Sequence, residues 1–241
     1  MRDRWLVAVC YVGTACFAVS YGIAIALYPG GTWFNRYAQG HSFWMNFLCD
    51  LMQTRALNGG DASVGSLLAR MGTFAMLVAL VSFYTQIARL ESPVSLFGRI
   101  AHGAGWVACA FGCVVPLVPS NLFRNAHVIS VICAFVPSLV ATIAALIVCL
   151  RTPGISRWIR AMAILTLGAG GIDGLLYAYA YAQVYGFVPF GRSPWINLSL
   201  PIFQRVATIG LLAWVIAVCV HTSTSKSRES GLNCGQSQKI R

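Results

Sequence analysis

Six long apolar runs constrain this chain more than any other feature of it. They lie near residues 5–28, 63–88, 100–119, 128–150, 158–187 and 198–222. A helix rises about 1.5 Å per residue, and a bilayer's hydrocarbon core is about 30 Å thick, so roughly 20 apolar residues suffice to cross it. Each run reaches that length and is followed by a polar or glycine- and proline-rich break. Composition agrees: 58% of the 241 residues are hydrophobic and 10% are charged, where a soluble domain carries roughly a quarter charged residues. The fold class that follows is an all-α polytopic membrane protein, a six-transmembrane-helix bundle occupying residues 1–223. The first run begins after MRDRW and, at about 24 residues, is longer than the roughly 7–15-residue apolar core of a secretory signal, so it is expected to be a retained span and not a removed signal.

The charge pattern orients the bundle. The net charge is +11. With the amino terminus inside, Arg2, Arg4, Arg89, Arg99, Arg151, Arg157, Arg160, Lys226, Arg228, Lys239 and Arg241 fall on the inner side. Arg36, Arg55, Arg124 and Arg192 fall outside. Eleven against four is a positive-inside bias that predicts two cytoplasmic termini. Residues 224–241 are then expected to be a basic, disordered cytoplasmic tail near anionic headgroups, with no nucleic-acid partner. The cysteines sit mostly within the runs, where a free thiol is a small apolar residue. Cys109 and Cys113 are one helical turn apart, and that spacing alone does not make a metal site.

The connection after the first run is the long one. Pro29, Gly30 and Gly31 break the first helix, and a helical pattern resumes over 42–56 until Gly59 and Gly60. On such a helix Phe43, Trp44, Phe47, Leu48 and Leu51 share one face while Asn46, Asp50 and Gln53 share the other. It should lie at the outer interface, aromatics toward lipid and polar stripe toward water or the mouths of the spans. Gly168, Gly170, Gly171 and Gly174, with Gly103 and Gly105, are expected to let helices approach closely.

Ionisable groups inside spans are costly and face a bundle interior by default. Here these are Arg70, His127, Asp173 and Arg205, with Gln204 beside the last. Together with His41, Asn46, Asp50 and Arg124 they could line one outward-facing polar pocket. A plainer reading has Asp173 paired with Arg205 or Arg70 as a structural ion pair, and His127 as a satisfied cap on a helix end. His102 and His221 belong to the inner side, which argues against a three-histidine zinc site, and no metal or cofactor is expected. No G-x-S-x-G, H-E-x-x-H, phosphate-binding or dinucleotide-binding motif is present. A proton-relaying pair of Asp50 with His41 or His127 is the one catalytic arrangement left, so whether the chain is an enzyme stays open.

The N-x-x-C-D-L of Asn46 to Leu51, and GAGWVACAFGCVVPLVPSNLFRNAH with its proline, short loop and His opening the next span, resemble a bacterial family of six-span proteins, domain-of-unknown-function family 998. That family is related to the eukaryotic DRAM, Frag and Sfk membrane proteins. Cys49 stands where the family commonly has Ser, and Asn121 where an acidic residue often follows the proline. The resemblance implies a six-helix bundle in a bacterial inner membrane with both ends inside, and points to lipid handling because the eukaryotic relatives are linked to it. Membrane lipids are then the expected partners, held at a headgroup by Arg70, Arg124 or Arg205. Two other readings use the same residues: a scaffold that binds another membrane protein and no small ligand, and a small proton-coupled transporter using Asp173.

Overall fold

The structure is a computed structural model that describes residues 2–91, 93–184, 187 and 194–237. The chain is all-α in those residues. Helices α1 (Arg2–Ala26), α2 (Ser63–Ala88), α3 (Leu96–Gly112), α4 (Arg124–Arg151), α5 (Arg157–Val184) and α6 (Pro194–Ser237) follow one another in order. Among the described residues, six helices are long and apolar enough to cross a membrane. Helix α6 continues through much of the segment expected as a tail; nothing is described of side chains beyond residue 224, and Arg192 lies outside the described residues.

The helices pack chiefly as three hairpins, α1 with α2, α3 with α4 and α5 with α6, and the third touches α1, α2 and α4 more sparsely. Small residues decide which helices come close, because in lipid the association rests on van der Waals packing and not on water exclusion. A Cβ added at Gly13 would lie 2.5 Å from the Ala75 carbonyl oxygen, and one at Gly72 would lie 2.9 Å from Ser20 Cβ. Gly105 takes the Tyr84 ring against its backbone, and Gly174 takes Phe135. The remaining glycines expected to do the same do not. Gly103, Gly168 and Gly171 have no atom within 4 Å of an added Cβ, and Gly170 meets only Ala207 Cβ at 3.9 Å.

The two ends of the bundle differ. At the end carrying the termini, Ala79, Phe83, Ala101, Ala144, Ala145, Val148, Ile159, Trp214 and Val218 are buried together and close the core. At the opposite end, called here the loop end, the segment between α1 and α2 folds over the helix mouths. That segment corrects the interfacial helix expected over 42–56: only Leu48–Met52 is helical, as a single 3₁₀ turn. Phe43 and Trp44 are exposed as expected, but Leu51 is buried, and Asn46 and Asp50 are turned inward.

Candidate functional site

The loop end is organised around one carboxylate. Asp50 is 1% exposed and accepts four hydrogen bonds. At Oδ1 the donors are Trp33 Nε1 (3.3 Å) and Gln53 Nε2 (3.2 Å); at Oδ2 they are Phe47 N (2.8 Å) and Asn46 Nδ2 (3.2 Å). Two oxygens offer about four lone-pair positions, so the acceptor capacity is filled. Burial pushes the Asp50 carboxyl above its ordinary range, while the bonds from Phe47, Asn46 and Trp33 and the nearby Arg205 charge act in the opposite sense. All four partners are N–H donors, and a protonated oxygen would have to turn its own hydrogen toward one of them.

Asn46, wholly buried, ties this knot to the chain on both sides. Its Nδ2 also donates to Gly31 O (2.9 Å), and its Oδ1 accepts from Ser42 N (3.0 Å). Gly31 can offer that carbonyl because it adopts φ +87°, and an added Cβ would lie 2.5 Å from Asn58 N.

Three elements of the bundle grip the loop. From α6, Arg205 donates through Nε to Phe43 O (2.9 Å) and through Nη2 to Asn46 O (3.0 Å), with Nη2 also 3.4 Å from His41 Nε2. Its guanidinium lies over the Phe43 ring, 5.0 Å from the centroid. The neighbouring Gln204 accepts from Leu48 N at 2.8 Å. From α2, Ser66 Oγ and Arg70 Nε and Nη2 all donate to Met52 O, at 2.7, 3.1 and 3.0 Å. From the turn between α3 and α4, Ser120 Oγ lies 3.0 Å from Gln53 Nε2 and Asn121 Nδ2 donates to Thr54 Oγ1 at 3.0 Å.

The sequence-predicted residues are thus divided. Asn46, Asp50, His41, Gln204 and Arg205 are brought together, and Arg70 grips the same loop from another side. His127 is held elsewhere: its Nδ1 lies 2.9 Å from Val118 O, and a carbonyl can only accept, so Nδ1 carries the proton. Arg124 is exposed at the start of α4. Neither histidine is among the four donors to Asp50, so the proton-relaying pair is not assembled. Burial, then the Arg205 charge, pushes His41 down to about 4, which leaves it neutral near pH 7. Cys49, half-buried beside this cluster, is pushed up to about 12 by desolvation and stays a thiol. Trp33 was the partner sequence reasoning missed; an indole two residues past Gly30-Gly31 carries no periodic signal.

Beside this plug, among the helices, lies a half-open cavity of about 390 Å³. Its walls come from α2, α3, α4, α5 and α6 and are mostly apolar, with Leu77, Leu80, Val131, Phe135, Leu139 and Leu211 among them. Lining residues run from Thr73 to Tyr84 on α2 and from Val131 to Thr142 on α4, about 16 Å along each axis at the helical rise. Gly170 and Gly171, which do not bring helices together, leave part of this space.

Asp173 faces that cavity and not the plug. Its Oδ1 is buried with no hydrogen-bond partner, and the expected ion pair with Arg205 or Arg70 is not formed among the described residues. Both guanidiniums donate instead to loop carbonyls, while Arg205 Nη1 is buried without a partner. Gln204 lines the cavity too, so one side chain joins plug and cavity. Among the described residues no three His, Cys, Asp or Glu side chains converge as a metal-ligand group would.

No protein-family model, curated protein or solved structure matches the chain. What fold and site define is a class: an integral α-helical membrane protein of six apolar helices, with a half-open, mostly apolar pocket among α2–α6 and a hydrogen-bonded loop packed across one end of the bundle.

Proposed function

We propose that this protein handles a lipid or lipid-like amphiphile, whose chain occupies the cavity between α2–α4 and the α5–α6 hairpin. The observation that carries the reading is the cavity itself: about 390 Å³ falls within the range of small-ligand sites, about 300–1,000 Å³, and such sites are largely apolar with a few polar groups that orient the ligand. The elongated apolar part suits an acyl or alkyl chain. Asp173 and Gln204 supply the polar end, and the plug centred on Asp50 holds the loop-end wall in place instead of contacting the ligand.

The bias of basic residues toward the terminus end supports placing both termini in the cytoplasm, with the loop end in the outer leaflet. The resemblance to the six-span bacterial family supports the same orientation, an inner-membrane location and a lipid partner. A second reading, proton-coupled movement of the bound molecule, is favoured by the partnerless Asp173 Oδ1; Asp173→Asn would then abolish pH-driven flux in vesicles.

The test is to fill the space. Gly171→Phe enters a region with no atom within 4 Å of the added Cβ, so the bundle should fold while the cavity closes. Native mass spectrometry of protein purified from membranes should show a bound amphiphile on the wild type and none on the variant. Equal occupancy of both, or an empty wild type, would overturn the proposal.

A further inference from the structure

We propose that the cavity selects amphiphiles whose polar end is a protonated amine, with Asp173 as its anionic contact. The inference rests on the cavity being a ligand site. Among the described residues that line it, Asp173 is the one acid, and there is no Lys, Arg or His. The nearest candidate cation on the same wall, Arg205, follows Gln204 directly but is committed to Phe43 O and Asn46 O in the plug.

Five other polar lining groups are hydrogen-bonded within the chain. Thr73 Oγ1 donates to Ala69 O (2.9 Å), Thr166 Oγ1 to Met162 O (2.8 Å) and Thr208 Oγ1 to Gln204 O (2.8 Å), while the Tyr84 hydroxyl lies 3.3 Å from Thr142 Oγ1. Asp173 Oδ1 alone is buried without a partner there.

A carboxylate in such a place carries a desolvation cost that a bound cation offsets and a bound anion increases. An ammonium group brings both the opposite charge and N–H donors. A hydroxyl brings one donor and no charge, and a carboxylate or phosphate brings repulsion. The expected order of binding is therefore amine, then alcohol, then acid, for one alkyl chain.

Dodecylamine, dodecanol and dodecanoate are the probes, added at equal concentration to the full chain in phosphatidylcholine nanodiscs and read by native mass spectrometry. The amine should bind at least about tenfold more tightly than the acid, and Asp173→Asn should remove that advantage while leaving dodecanol binding unchanged. A parallel arm with phosphatidylethanolamine nanodiscs and no additive separates a membrane aminolipid from a free amine as the natural source; occupancy in either supports the inference. An amine bound no better than the acid, or unaffected by Asp173→Asn while dodecanol still binds, overturns it and leaves the cavity reading intact. Failure of all three probes to bind, or their undiminished binding to Gly171→Phe, overturns the cavity reading and this inference with it.

Discussion

Asp50 and Asp173 are two carboxylates toward the same end of one bundle, and they are treated in opposite ways. Asp50 is filled by four N–H donors and sits at the centre of a loop that three elements of the bundle hold down. Asp173 has an oxygen with no partner and looks into a mostly apolar cavity. A buried polar group satisfied on every side maintains structure, whereas one left unsatisfied costs stability and persists where something else uses it. The most conspicuous polar sequence motif, N-x-x-C-D-L, thus holds a loop together, while a lone acid in a glycine-rich helix faces the cavity.

The comparison can be broken most forcefully at Arg205. Removing it as Arg205→Ala strips the Phe43 and Asn46 carbonyls of their donor and should destabilise the protein by about 3–5 kcal/mol. Thermal unfolding in detergent reads this; an unchanged midpoint would mean that the plug does not hold the loop. Next in size is a pair of glycines on α5. Gly174→Ala drives a methyl into Phe135 and should cost about 1–3 kcal/mol, while Gly168→Ala meets nothing and should stabilise by up to about 1 kcal/mol through helix propensity. The two melting curves should move in opposite directions.

The smallest effect is the pH dependence of the plug. The folded chain holds His41 near 4, against an ordinary 6.5. Between those values the unfolded chain binds a proton that the folded chain refuses, so stability falls as pH drops from about 6.5 toward 4. With allowance for the partial exposure of the ring, the loss is of order 1–2 kcal/mol. His41→Gln keeps an acceptor for Arg205 and should flatten that part of the profile of melting temperature against pH; an unchanged slope would assign the acid sensitivity to other groups.

How much of this was legible in the sequence follows from what each feature depends on. The spans are written in runs of apolar residues, and α2 begins and ends where its run does. The loop was misread for a local reason. Phe43, Phe47 and Leu51 repeat at helical spacing, but Asn46 Oδ1 takes the Ser42 N–H and Asp50 Oδ2 takes the Phe47 N–H. Side chains of this kind compete with the backbone for its own donors and leave only a 3₁₀ turn. Convergence of Asn46, Asp50, Gln204 and Arg205 followed from their common depth. That Asp50 is saturated did not, because one of its donors comes from Trp33, which has no place in the pattern. The cavity was out of reach, since Gly170 and Gly171 read as close-packing residues and only coordinates reveal that Gly171 meets nothing and Gly170 only Ala207 Cβ.

The division of labour between the two acids is tested most directly by the isosteric pair Asp50→Asn and Asp173→Asn, purified side by side and measured for melting temperature and bound amphiphile on the same preparations. The account predicts that Asp50→Asn, which sets an NH₂ group against N–H donors, unfolds at markedly lower temperature, by about 2–4 kcal/mol of lost stability. It predicts that Asp173→Asn melts at or above the wild-type temperature and carries less bound amphiphile than the wild type. A destabilised Asp173→Asn that keeps its amphiphile, beside an Asp50→Asn of wild-type stability, would contradict it.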